Sequence, residues 1–164
     1  MQFRAEHTFA PISLAEFEAL FFDEPFNEAL CRDVAIERHL QRHETVAGRL
    51  VREVLVHPDR QVPGPIAKFT GSAKVGYVEH LEYAWGSYAG TFRCTPTVLA
   101  ERVRTEGRFR LEARGDGVAR LVEGTVDVRV FGLGSVIERF IVADVEQSYQ
   151  AAAAFTERTL AARA

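Results

Sequence analysis

The sequence predicts an α+β fold: a seven-stranded antiparallel sheet, two short helices after the first strand, and one long C-terminal helix. Three observations carry this. The chain opens on alternating faces, with Phe3, Ala5, His7 and Phe9 on one side and Gln2, Arg4, Glu6 and Thr8 on the other, the period of a half-buried strand. Two later segments form hairpins in which apolar pairs and opposite-charge pairs fall into phase from a single register each. After Gly134 the chain runs to its end without proline or glycine, its apolar residues at helical spacing.

Each element follows in order. Pro11 stops the first strand, and Ser13-Leu14-Ala15-Glu16 is a capping box opening a helix that carries Phe17, Leu20 and Phe21 on one face. A second short helix is expected around Pro25 to Cys31, with the proline in its first turn. Val34 to Arg42 and Arg49 to His57 read as strands. The preferred register pairs Leu40 with Val51, Ile36 with Leu55 and Arg38 with Glu53, because a shift by four sets Arg38 against Arg49. Pro58 and Pro63-Gly64-Pro65 break the chain, and Ile66 to Thr70 is expected to make one helical turn.

Gly86-Ser87 suits a type II′ turn. Trp85 then faces Tyr88, Leu81 faces Phe92 and Glu79 faces Cys94, with Glu82–Thr91 and His80–Arg93 on the other side. The next hairpin turns through Arg114-Gly115-Asp116-Gly117. It sets Phe109, Thr105 and Val103 against Val122, Val126 and Val128, and Arg108 and Arg104 against Glu123 and Asp127. Gly107 falls opposite Gly124 and leaves a dent that another group can enter. In the last helix Ile137, Ile141, Val145, Ser148, Ala152, Phe155 and Thr159 cluster on one side, and Arg139, Glu146, Gln150 and Glu157 on the other.

Composition narrows the function. A chain of 164 residues and 18.3 kDa is about one domain's worth, so residues 1–164 are expected to form a single domain able to bury its own core. Lys plus Arg number 20 and Asp plus Glu 23, for a net charge of −3, which argues against nucleic-acid binding by bulk electrostatics. Cys31 and Cys94 lack CxxC spacing, so no structural zinc site is expected. His39 and His43 lie in a strand and turn rather than on one helix face and are not read as metal ligands; no cofactor is implied. No apolar stretch approaches the ~20 residues of a membrane span, and the start lacks the apolar core of an export signal. The expectation is a cytoplasmic protein with reduced thiols.

This element order, with the run Gly132-Leu133-Gly134-Ser135-Val136-Ile137-Glu138 and the later Asp144, resembles the START-like (SRPBCC, Bet v-like helix-grip) superfamily, in an uncharacterised bacterial branch. Pro63 with Ile66-Ala67-Lys68-Phe69 is similar to the insert before its fourth strand, a feature shared with the more distant PRELI-like phospholipid carriers. The resemblance covers essentially the whole chain. It implies a curved sheet wrapped around the C-terminal helix, a cavity between them, and binding of an apolar or amphipathic molecule such as a lipid.

The candidate cavity residues are then Tyr77, Glu79, Leu81, Tyr83, Trp85, Tyr88, Phe92 and Phe109 from the hairpins, with Ile141, Asp144 and Ser148 from the helix. The aromatic residues suit a ligand wall, each offering an apolar body, Tyr and Trp with a polar tip; they equally suit a packed core. Asp144 and Ser148 fall inside the apolar stripe, where a carboxylate needs a partner or water: either an ion pair to the sheet or a polar group facing a ligand. Arg38, Glu53 and His7 also take inward phases. Three functions stay open: a carrier of a hydrophobic or amphipathic small molecule; a cyclase or dehydratase using Asp144, Glu79 or His7 as acid or base; and an interaction module whose cavity is filled by side chains. Ligand identity and oligomeric state are not legible.

Overall fold

The computed structural model describes residues 1–70 and 74–163. Strand β1 (Gln2–Phe9) is followed by helices α1 (Leu14–Phe21) and α2 (Glu24–Asp33), strands β2 (Ile36–Val46) and β3 (Arg49–Pro58), and helix α3 (Gly64–Thr70). Strands β4 (Tyr77–Ala84), β5 (Ala89–Pro96), β6 (Val103–Arg114) and β7 (Gly117–Val128) lead to helix α4 (Gly134–Ala161). The seven strands form one antiparallel sheet in the order β1-β7-β6-β5-β4-β3-β2, which wraps around α4 as a helix-grip fold.

The local signals act as their chemistry requires. The Glu16 N–H donates to the Ser13 hydroxyl at 3.3 Å and the Ser13 N–H to the Glu16 carboxylate at 2.9 Å, closing the capping box. Asp23 caps α2 by accepting from the Phe26 N–H at 2.8 Å. Glu18 of α1 then ties down the β4–β5 loop, accepting from the Tyr83 hydroxyl and from the Gly86 N–H. At the junction into α4, Glu138 accepts from the Val128 N–H at 3.1 Å, and a Cβ on Gly134 would stand 2.7 Å from the Val128 carbonyl oxygen. Both residues of the Gly-x-Gly-x-x-Ile-Glu run therefore hold the helix start against the end of β7.

The β4–β5 and β6–β7 registers form as the pairing argument requires, from Leu81–Phe92 to Arg104–Asp127. The first of these hairpins nonetheless turns differently. The Ser87 N–H bonds to the Ala84 carbonyl, and Gly86 and Tyr88 carry positive φ, so Trp85 to Tyr88 form a four-residue loop rather than a two-residue type II′ turn. Both loops share one centre, which is why the register is the same.

The β2–β3 register is a correction. Leu40 pairs with Val54, Ile36 with Pro58 and Arg38 with Val56. Strand β2 runs on to Val46, where Ala47 and Gly48 turn with φ of 51° and 77°, the positive values that a right-handed twisting hairpin favours. An irregularity between Leu40 and Arg42 absorbs one residue. The attraction between Arg38 and Glu53 is replaced by two others. Arg38 reaches Glu24 of α2 at 2.6 Å, and Glu53 meets His80 of β4 at 3.0 Å.

Helix α4 is also rotated from its expected setting. Arg139, Glu146, Gln150 and Glu157 are exposed as expected, but the fully buried line is Val142, Ala153, Thr156 and Leu160, with Ile137 at the helix start. Ile141, Val145, Ser148, Ala152, Phe155 and Thr159 are only half-buried. The face that reads as the core stripe in the sequence stands about 100°, one residue step, away from the packed one. Phe155 meets Phe26 at 5.6 Å without being enclosed. Phe155→Ala is accordingly expected to cost about 1–2 kcal/mol, below the 3–5 kcal/mol of a fully buried phenylalanine, as read from its urea midpoint.

Candidate functional site

Between the concave face of the sheet and α4 lies a cavity of about 530 Å³. Its floor comes from alternate residues of the strands, its roof from α4, and one side from α1 and α2. The expected residues Tyr77, Glu79, Leu81, Phe92, Phe109, Ile141, Asp144 and Ser148 all border it. Tyr83, Trp85 and Tyr88 do not. Tyr83 is buried flat against Phe109, at 5.8 Å and 6°, and Trp85 sits at the loop, 39% exposed, donating its indole N–H to the Thr45 hydroxyl. Tyr88 belongs to the turn itself and packs beside the cluster of Phe9 and Phe17. The aromatic run of this hairpin thus divides between wall, core and rim, because the loop lifts its tip off the ladder.

The dent at Gly107 and Gly124 is filled. A Cβ on Gly107 would stand 2.5 Å from the Phe92 ring, and one on Gly124 would stand 2.3 Å from the Phe3 ring. The missing side chains let Phe92 lie down on the strand and leave the cavity open above it.

Charged groups enter the cavity at several places, Arg38 of β2 with Glu24 among them. Arg60, in the loop after β3, donates from Nε to Asp144 at 2.6 Å and from Nη2 to the Ser148 hydroxyl at 3.4 Å. This group is about one-quarter exposed and marks an end of the cavity that solvent reaches. Arg52 of β3 is buried and pairs with Glu79 at 3.2 Å, with its guanidinium 5.7 Å from the centre of the Phe22 ring. Arg120 of β7 is 4% exposed and lies over the rings of Phe9 and Tyr149, 5.4 Å from each. Burial raises the pKa values of the Tyr77 and Tyr149 hydroxyls and of the Cys94 thiol, so all three stay protonated near neutral pH.

Sequence reasoning missed the three arginines and Tyr149. For Arg120 the signal was present: the register that sets Phe109 against Val122 also sets Leu111 against Arg120 on the same inward face. For Arg60 there was none, since its partner lies 84 positions away in the sequence.

Asp144 is ion-paired to the loop after β3 rather than to the sheet, and it borders the cavity. With side-chain exposures of 25% and 23%, the Arg60–Asp144 pair stands between a surface pair and a buried one. Asp144→Asn is expected to lower stability by about 1 kcal/mol, more than a surface pair and well short of the 3–5 kcal/mol of a stranded buried charge, by urea melts.

The model of the family described as "Protein of unknown function (DUF2505)" matches residues 4–160. The chain belongs to this family. None of the curated proteins matches it. Among solved structures, TTHA0849 from Thermus thermophilus is similar to this DUF2505 chain at a TM-score of 0.68 and 17% identity, covering 100% of both chains. Ara h 8.0201 matches at 0.63 and 14%, over 95% of this chain and 97% of its own. A START superfamily protein from Mycobacterium smegmatis matches at 0.59 and 13%, over 96% and 98%. These likenesses establish a START-like fold. Among the described residues of the DUF2505 chain, no helix is long and apolar enough to cross a membrane.

Two further groups of the DUF2505 chain bear on its chemistry. Glu37, His39 and His57 bring ligand atoms within 4.8 Å of one another at the sheet edge, but Glu37 is engaged by Lys74, and Glu37 and His39 are exposed. His7, on the inward face of β1, is held below its ordinary 6.5 by burial and by the charge of Arg120. The unfolded chain therefore binds this proton more readily than the folded one. Stability is full above about pH 6.5 and falls as the pH drops below it. Melting temperatures from pH 7 to 5 should decline less in His7→Gln than in the parent protein.

Proposed function

We propose that this protein binds a hydrophobic or amphipathic small molecule, lipid-like in character, in the cavity between the sheet and α4, and carries it rather than transforms it. The observation that supports this reading is the cavity itself. Its 530 Å³ falls in the range of small-molecule sites, about 300–1,000 Å³. Its wall is mainly apolar, from Leu81, Phe92, Phe109, Val122 and Ile141, with a few polar groups of fixed position. The START-like fold of its structural neighbours agrees with ligand binding. Glu79 and Asp144, the carboxylates a cyclase or dehydratase would draw on, are each engaged by an arginine. The reading takes the binding to occur in the cytoplasm, where Cys31 and Cys94 stay free.

The test is uptake of a neutral fluorescent apolar probe, N-phenyl-1-naphthylamine, by the full chain, beside native mass spectrometry of protein purified from its own host. Saturable binding at one site is expected, weakened at least tenfold by Val145→Trp, which fills the cavity from α4. Absence of saturable uptake, or uptake unchanged in Val145→Trp, would overturn the reading.

A further inference from the structure

Among the described residues, Arg120 stands apart from the other cationic groups of the cavity. Arg52 has Glu79, Arg60 has Asp144 and Arg38 has Glu24, whereas among the described residues no carboxylate pairs with Arg120. Its Nε and Nη2 are buried without a hydrogen-bond partner. A guanidinium left in this state is expensive, because it has given up water and received only ring faces in return. Burial pulls its pKa below the ordinary value.

The two idle donors are not scattered. Nε and Nη2 lie along one edge of the guanidinium, and their N–H bonds run parallel, spaced to meet both oxygens of one carboxylate. Arg52 differs: its free atoms are Nε and Nη1, which do not share that edge, and Glu79 already balances its charge. The Tyr149 ring lies 5.4 Å from the Arg120 guanidinium, and burial keeps its hydroxyl protonated.

We propose that the ligand is an amphipathic carboxylic acid, its carboxylate seated two-pronged on Arg120 and its hydrocarbon part along the wall of Leu81, Phe92, Phe109 and Ile141. The inference rests on the binding reading above and adds the chemical class. The ligand's single negative charge supplies the counter-ion that none of the described residues does, at a buried guanidinium where the pairing is strong. A neutral molecule of the same shape offers only weaker, uncharged acceptors and leaves the guanidinium charge unbalanced, so the site discriminates by charge rather than by size.

The experiment is displacement of N-phenyl-1-naphthylamine from the full chain at pH 7.5 by hexadecanoic acid, 1-hexadecanol and methyl hexadecanoate. The acid should displace the probe at a concentration at least tenfold lower than the alcohol or the ester. Arg120→Met should bring the three together. Arg120→Lys, which keeps the charge and loses the paired edge, should fall between. Equal potency of acid and alcohol on the unaltered protein overturns the proposal while the binding reading stands; that comparison needs no variant and holds even if Arg120→Met fails to fold. A preference that survives in a folded Arg120→Met also overturns it. Failure of the probe and all three compounds to bind overturns the binding reading itself.

Discussion

Phe9→Ala should lower the stability of this protein by about 3–5 kcal/mol, the range for a fully packed phenylalanine. Phe9 has no exposed surface, stacks on Phe17 at 4.9 Å and 23°, and pairs across the ladder with Val118, which is itself fully buried. It therefore joins β1, α1 and β7, and deletion of the ring leaves a void that none of the three can close alone. The ring also covers Arg120, so the variant loses a cation–π contact along with its packing. The control is another phenylalanine. Phe131 is fully exposed, and Phe131→Ala should change the stability read from the urea midpoint by no more than about 0.5 kcal/mol. Similar costs at the two positions would mean that the core around β1 is wrongly placed.

Gly107→Ala should cost about 3 kcal/mol, the upper part of the range for overpacking. A single methyl there would stand 2.4 Å from the backbone carbonyl oxygen of Glu123 on the neighbouring strand and 2.5 Å from the Phe92 ring. A flexible side chain could move away, but a carbonyl in the middle of the β6–β7 ladder cannot move without breaking its pairing. The change should appear as a lower urea midpoint at unchanged slope. Because Phe92 forms part of the cavity wall, the folded fraction should also bind the naphthylamine probe more weakly. Gly115→Ala, in the β6–β7 turn with open space around it and φ of 63°, is the comparison: it meets backbone strain but no neighbour, and should cost only about 1 kcal/mol without changing probe binding.

Much of the fold was legible wherever two constraints agreed. In β4–β5 and β6–β7, apolar pairs on one face and opposite charges on the other accept a single register, so even the wrong turn type did not displace it. In β2–β3 the constraint was missing. Most of β2 is exposed, and a strand without a buried face has little to punish a slip. The one charge pair used there, Arg38 with Glu53, could not outweigh partners on α2 and β4 that the local sequence does not reveal.

The cavity shows the same division. Strand phase and helical period place Tyr77, Leu81, Phe92, Phe109 and Ile141 on inward faces. They cannot say whether an inward face meets atoms or empty space, because apolar residues serve both. That is why the stripe through Ile141, Val145 and Ala152 reads as packed core in the sequence: the helix turns its next row, Val142, Ala153 and Thr156, into the fully buried position and leaves this stripe along the cavity.

By itself, the sequence determined the element order, two of the three hairpin registers, the capping box of α1 and the phases of most strands, though not of β3, where Arg52 rather than Glu53 faces inward; each of these depends on residues close along the chain or on a pattern with one solution. The tertiary structure decided which charges meet. Arg60 finds Asp144 and Arg52 finds Glu79 because β3, the loop after it, β4 and α4 converge from distant parts of the chain. The same convergence brings Phe9 and Tyr149 to Arg120 and no carboxylate among the described residues. Coulomb energies inside the sheet depend on distances and burial that no local pattern encodes, so an inward arginine could be read from its phase, but its lack of a counter-ion could not.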